Sequence, residues 1–353
     1  FSEDGDLSKL SVVMSPEMNQ NLCCTDEEDC SSSGCEYYGE CHYYAHRRKA
    51  VRSDIIVVNY HVLFTALNTS AVMLPNFNIL ICDEAHEIPS TYREFASINI
   101  NAGFFKKTKS KFSNLISIIE SSPEDIFNSE LASKIILKIK NDLDIIEYNV
   151  DQLFIEIENK YSNLYSPQIL EADTDKEILS KVQYLKNSLA DLEYNCEEFQ
   201  DHVISLIDDE EDDFEDSILG KFSDRENKEI KLRFNSLNAS VTNQGAQIKE
   251  IISGISDDNS VVFVENKNNR VTLSAKLIET GDELFNLFGI PGLKTVFTSA
   301  TMSVGGSFNY IKENLGISEL NTIDIIGQSP FNLTEQQLWY LPPDSLAGNQ
   351  AGF

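Results

Sequence analysis

A chain of 353 residues exceeds one ordinary domain, and with 41% hydrophobic residues it can fill a sizeable core. Its 57 acidic against 28 basic side chains give a formal charge of −29, which on net charge alone argues against a nucleic-acid binder, since phosphate neutralisation needs Lys and Arg. No apolar run is long enough to span a bilayer and no charged-then-apolar leader opens the sequence, so a helical membrane protein is excluded and a soluble one expected.

The charge is unevenly spread. A run from Asp208 to Asp216 holds a large share of the acid and reads as a solvated loop between helices. Positive charge gathers at His46-Arg47-Arg48-Lys49 with Arg52, and again at Lys106, Lys107, Lys109 and Lys111. The first residue is not Met, and Leu346 to Phe353 closes no element, so both ends are expected to be cut from a longer chain.

In chain order, Phe1 to Ala50 is loop-like and holds five of the seven cysteines. From Val51 to Ile100 come two short β-branched runs, Asp54–Asn59 and Asn78–Asp83, each ended by a polar residue and read as buried parallel strands. From Asn101 to Gly254 the period is helical. Ile139, Leu143, Ile146, Val150, Leu153 and Ile157 are spaced alternately by four and three. Ile178, Val182, Leu185, Leu189, Leu192, Cys196, Phe199, Val203 and Leu206 repeat the pattern, and Ile230, Phe234, Leu237 and Val241 begin it again. Such spacing keeps one apolar seam toward a partner, so an antiparallel helical hairpin or small bundle inserted into an α/β domain is expected. Strands then return at Val261–Val264, Val271–Leu273 and Thr295–Thr298.

Cys30, Cys35 and Cys41 are spaced C-x4-C-x5-C, with Cys23 and Cys24 a few residues before. Disulfides need an oxidising compartment, and nothing in the sequence points to secretion. A zinc site usually draws on paired C-x2-C knuckles, which are missing. Loops of four and five residues suit a four-thiolate iron–sulfur cluster, so metal is the reading, with cluster and zinc both open on spacing alone. Cys82 and Cys196 fall in a strand and a helical seam and read as small core hydrophobes.

Asp83-Glu84-Ala85-His86 follows the second apolar run at once. Carboxylates at the carboxyl end of a parallel strand stand where α/β sheets place ligands, so Asp83 can hold Mg²⁺ and Glu84 can orient or deprotonate a water attacking a γ-phosphate. The competing reading, a surface turn capping the next helix, is weakened by the position after Asn78–Cys82. Thr298-Ser299-Ala300-Thr301 likewise closes a strand, where its hydroxyls can bond to the carboxylates or simply cap a helix.

The order of these pieces resembles the XPD/DinG branch of superfamily 2 DNA helicases. Cysteine cluster, Ser53-to-Leu63 segment, Asp83-Glu84-Ala85-His86, long helical insertion and Val296-to-Met302 follow one another in family order. The resemblance implies an α/β fold: a RecA-like parallel-sheet domain with an inserted iron–sulfur loop domain and an inserted α-helical arch domain. It divides the chain into 1–20 (end of an upstream segment of the first RecA-like domain), 21–50 (iron–sulfur), 51–100 (RecA-like, with the DEAH box), 101–254 (arch), 255–310 (RecA-like, motif III) and 311–353 (start of a second RecA-like domain, with Gln328-Ser329-Pro330-Phe331).

Carried over, Asp83 and Glu84 form the Walker B pair with Mg²⁺ on Asp83, and His86 couples that pair to the motif III hydroxyls Ser299 and Thr301. A [4Fe–4S] cluster falls to Cys30, Cys35, Cys41 and Cys24, with Cys23 the alternative first ligand. Arg47, Arg48, Lys49 and Arg52, with Lys106 and Lys107 at the base of the arch, are the implied DNA phosphate contacts. The implied activity is ATP-dependent 5′→3′ DNA unwinding in repair or replication, by a monomeric motor on single-stranded DNA and DNA junctions, without a membrane. Its setting is the cytoplasm, or the nucleus in a eukaryote. The sequence departs from the family in carrying no G-x-x-x-x-G-K-[ST] phosphate loop, so this chain alone is expected not to hydrolyse ATP. The other reading is a non-motor DNA- or protein-binding module that keeps cluster and arch.

Overall fold

The structure is a computed structural model, and it describes residues 30, 35, 37–68, 74–120, 130–161, 166–208, 224–267, 270–328 and 338. Cys23, Cys24, residues 1–20, the acidic run beyond Asp208 and Ser329-Pro330-Phe331 lie outside them. No helix among the described residues is long and apolar enough to cross a membrane.

Two hydrophobic cores organise the described residues. The smaller surrounds a parallel pair of strands, β1 (Ile79–Asp83) and β6 (Lys294–Thr298), in register from Ile79 opposite Lys294 to Asp83 opposite Thr298. Alternation puts Leu80, Cys82 and Phe297 on the face that meets this core, with Phe64, Ile88, Tyr92, Leu284, Leu287 and Phe288 packed beneath. These come from α2 (Tyr60–Asn68), α3 (Ile88–Phe95) and α8 (Gly281–Phe288), with Ile311 from α9 (Asn309–Asn314). Gly316 follows α9 at φ +69°, where a Cβ would strike the Gly281 carbonyl oxygen, so the α8 and α9 termini meet backbone to backbone.

The other sheet face is open. Ile79, Ile81 and Val296 are 64%, 68% and 52% exposed, so Asn78–Asp83 is a parallel strand, as expected, but buried on one side only. The Asp54–Asn59 run is a correction. It forms no regular element and joins no sheet among the described residues, with Ile55 and Val57 82% and 91% exposed. β-Branched residues favour an extended backbone locally, while burial needs a neighbouring strand and a covering layer, and neither stands beside them among the described residues.

The larger core is the helical layer: α4 (Lys106–Glu120), α5 (Glu130–Lys160), α6 (Lys176–Asp208) and α7 (Asp224–Gly254). Ile139, Leu143, Ile146, Val150, Leu153 and Ile157 of α5 are all buried against Ile178 through Val203 of α6, and Phe199 meets Phe234 of α7 edge-on at 5.2 Å. Each such side chain contributes about 2 kcal/mol by leaving water, so the seam rather than helix propensity holds these long helices together.

The strands at 261–264 and 271–273, expected with the DEAH-box domain, stand apart from the β1–β6 sheet. β4 (Ser260–Lys267) and β5 (Arg270–Leu277) form an antiparallel hairpin in a sheet ordered β2-β5-β4-β3, with β2 at Ile98–Asn101 and β3 at Gln168–Ile169. Val262, Val264, Leu273 and Ala275 bury their side chains in the helical core. A direct β-hairpin imposes antiparallel pairing, whereas parallel strands need a crossover, so the nine or so residues from one strand's centre to the next decide the geometry. The two bodies are tied where Arg93 Nη2 donates to the Ile278 carbonyl at 3.0 Å and Lys276 Nζ meets Glu94 Oε1 at 2.7 Å.

Candidate active site

The carboxyl ends of β1 and β6 lie side by side, so Asp83 and Thr298 are in register and the residues after each strand face one another. Asp83 is exposed at the end of the open sheet face, and its Oδ1 accepts the Glu84 N–H at 3.1 Å. Glu84 has φ +49°, and among the described residues no other non-glycine has positive φ. This left-handed turn starts a single 3-10 turn, Ala85–Glu87, that buries Ala85 and leaves Glu84, His86 and Glu87 outside. A side chain in that region costs about 1 kcal/mol or more, a strain that accumulates at functional sites.

Ser299 joins the two strand ends. Its Oγ lies 2.7 Å from His86 Nδ1 and 3.4 Å from Glu84 Oε2, and accepts the Thr301 N–H at 3.2 Å. His86 Nδ1 is itself 3.3 Å from Glu84 Oε2, and Nε2 is 4.0 Å from Glu87 Oε1. A hydroxyl has one proton to give. With that proton on Glu84, the two lone pairs take the Thr301 amide and an Nδ1–H of His86, so the network closes with Nδ1 protonated. Thr301 enters through its backbone, and its side chain is exposed.

Tyr60 was not legible from sequence. Its hydroxyl, at the start of α2, donates to the Asp83 carbonyl at 2.5 Å and reaches the Cys82 thiol beneath. Burial, then the neighbouring Cys82, Asp83 and Glu87, push the phenol above its ordinary range, so it stays a donor. Burial pushes the Cys82 thiol up to about 12, keeping it an inert core group; Cys196 behaves alike in the helical seam, also about 12. The weak signal for Tyr60 was Asn59, whose Oδ1 caps α2 by accepting the Val62 N–H at 2.9 Å and so starts the helix at that tyrosine.

The described cysteines of the cluster region, Cys30, Cys35 and Cys41, are free and half-buried, and Cys30 Sγ is 3.7 Å from the Tyr44 hydroxyl. As thiolate donors their chemistry suits an iron–sulfur group. Among the described residues, however, no three His, Cys, Asp or Glu converge on a metal-sized site. Cys41 precedes α1 (His42–Val51), which buries none of its residues and carries the basic run. Arg47 lies over Tyr43 and Tyr44, each at 5.6 Å. Arg48 lies over Tyr38 at 5.5 Å and donates to the Tyr38 and Gly39 carbonyls at 3.4 and 3.2 Å, binding the Cys35–Cys41 turn to the helix. Lys49 and Arg52 are exposed and line a shallow hollow of about 360 Å³ with Arg48, Ala45 and Ser53. Lys106 and Lys107 open α4 within the helical layer, both exposed; burial first and then Lys111 lower the Lys107 amine from its ordinary value.

A parallel strand pair ending in acid on one strand and hydroxyl on the next, within a mixed α/β chain, is consistent with a RecA-like helicase domain. Comparison with known proteins agrees: the DEAD_2 family profile matches residues 13–103. The chain is 23% identical over 349 residues to the ATP-dependent DNA helicase YoaA of Haemophilus influenzae, covering 97% of this chain and 46% of that protein. It is 28% identical over 119 residues to the ATP-dependent DNA helicase DinG of Escherichia coli, covering 33% of this chain and 16% of that protein. DinG of Salmonella typhimurium is 26% identical over the same length. The chain is thus similar to DNA helicases named YoaA and DinG, and it spans less than half the length of these curated relatives.

Proposed function

We propose that the chain is part of an ATP-dependent DNA helicase that moves 5′→3′ on single strands and unwinds duplexes in repair or replication. The observation that carries this reading is the closed Glu84–His86–Ser299 network at the joined ends of β1 and β6. Asp83 would hold Mg²⁺, since its carboxylate is exposed and Oδ2 has no partner among the described residues; the ion supplies charge neutralisation at the phosphates. Glu84 orients and deprotonates the attacking water. His86 and Ser299 report the state of Glu84 to the segment after β6, which runs on toward Asp324.

Cys30, Cys35 and Cys41, with Cys24 or else Cys23, would hold a [4Fe–4S] cluster; when bound it cross-links that loop to α1. The basic residues Arg47, Lys49, Arg52, Lys106 and Lys107 contact phosphates of single-stranded DNA or a junction, and the working unit is a monomer in the cytoplasm, or the nucleus of a eukaryote. The domain divisions 21–50, 101–254 and 311–353 are read in the same way as cluster loop, arch and start of the second motor domain. The test is strand displacement from a duplex with a 5′ single-stranded tail, with DNA-stimulated phosphate release, on the full-length protein. Glu84→Gln abolishes both and keeps DNA binding; undiminished turnover in Glu84→Gln overturns the assignment.

A further inference from the structure

Several described lysines of the helical layer are paired with acids. Lys109 pairs with Asp144 and Glu147, Lys138 with Glu198, and Lys160 with Asp175. Two cations differ. Lys106 and Arg270 make no ion pair or hydrogen bond with a described residue through their side chains, and both line one cavity of about 630 Å³. It opens between the β2–α4 loop, the last turns of α5 and the end of the β4–β5 hairpin. In a chain of net charge −29, two cations lining one hollow make a local positive patch that favours an anion.

The remaining lining narrows the anion. Phe154 is 4% exposed and forms an apolar floor, while Phe104 is only half-buried and offers part of its ring. Asn266 presents a side-chain amide, and Glu158 is the one acid on the wall. Two cations against one carboxylate leave net positive charge. An aromatic face, amide donors and a carboxylate acceptor beside it suit a base with its exocyclic amine, and the cavity volume lies within the range that holds small ligands. We infer that this cavity is a phosphodiester-binding subsite of single-stranded nucleic acid, with Arg270 and Lys106 on consecutive phosphates and Phe104 under a base. The inference rests on the DNA-binding reading above and adds Arg270, Phe104 and Asn266 to it.

The test is the affinity of the protein for a short fluorescein-labelled oligodeoxyadenylate across a salt series, with Lys134→Ala as an exposed control lysine that faces Glu130 instead. Arg270→Ala and Lys106→Ala are each expected to weaken binding about five-fold and lower the salt slope by about one, with Lys134→Ala unchanged. Phe104→Leu, which keeps the apolar packing, is expected to weaken binding about three-fold with the slope unchanged. Thermal melts matching the parent show that the variants fold. If the parent binds and both cation variants bind as the control does, the subsite is overturned while the DNA-binding reading stands. A parent without affinity for the oligonucleotide overturns both.

Discussion

The Ser299 hydroxyl stands 2.7 Å from His86 Nδ1 across 213 residues of sequence, and it also faces Glu84 Oε2 at 3.4 Å. A change in the carboxylate's hydrogen bonding therefore cannot occur without moving the proton or rotamer of Ser299, whose lone pair holds the Thr301 amide. In the full-length protein, Ser299→Ala removes hydrogen bonds to two ionisable groups, Glu84 and His86, each worth about 1–2 kcal/mol. The expected outcome is phosphate release near the parent's rate with strand displacement about ten-fold slower. Equal loss of both would show that Ser299 serves the hydrolysis itself and not its coupling.

Tyr60 holds the same strand end from below. Tyr60→Phe keeps the stacking on Phe64 (5.9 Å between ring centres) and deletes the hydroxyl's bonds to the Asp83 carbonyl and the Cys82 thiol. It should cost about 1 kcal/mol in a denaturant titration and weaken Mg²⁺-nucleotide binding several-fold in the full-length protein. Unchanged nucleotide affinity would show that the Asp83 backbone is fixed well enough without it.

Asp175 is a carboxylate buried inside the helical layer, 2% exposed, where it precedes α6. Burial pushes its pKa up, but hydrogen bonds from Lys160, Tyr161 (2.6 Å), the Glu171 N–H (2.9 Å) and Thr174 (3.1 Å) outweigh it, and the net shift is down. A depressed folded-state pKa contributes stability above the unfolded value of about 3.9, and the contribution disappears as pH falls through the folded value. Asp175→Asn should thus lose about 2 kcal/mol near neutral pH, and its deficit against the parent should shrink below pH 4. A deficit independent of pH would mean that shape, not charge, matters there.

Some of this was open to sequence reading because the signal was local. The α5, α6 and α7 seams follow from spacing alone, since a helix must present every third or fourth residue to the same neighbour, and those residues are buried, with the Leu206 side chain outside the described ones. Asp83 and Ser299 could be singled out because each directly follows an apolar strand. Ile55 and Val57 read as buried yet are exposed, because their pattern encodes a preference and cannot supply the neighbour that satisfies it. The separation of β4 and β5 from β6 was hidden for a related reason. All three are apolar β-branched runs, and only the partner across each ladder, Ile98–Asn101 or Ile79–Asp83, distinguishes the sheets. Tyr60 and Arg48 act through contacts with backbone carbonyls, which leave no trace in residue type.

Arg48 can be tested for which of its two readings holds. As a phosphate contact it needs only positive charge outside the protein, so Arg48→Lys would retain most DNA affinity and Arg48→Ala would lose it. The structure shows its guanidinium turned inward, donating to two carbonyls of the turn between Cys35 and Cys41 and stacked on Tyr38, which an ammonium cannot reproduce. Both substitutions are therefore expected to loosen that turn. After anaerobic purification of the full-length protein, each should retain less than half of the parent's iron and acid-labile sulfide, while Arg52→Ala, exposed at the end of the same helix, retains all of it. Full iron content in Arg48→Lys, with DNA affinity lost only in Arg48→Ala, would return Arg48 to the set of phosphate contacts, because geometry would then matter less than charge.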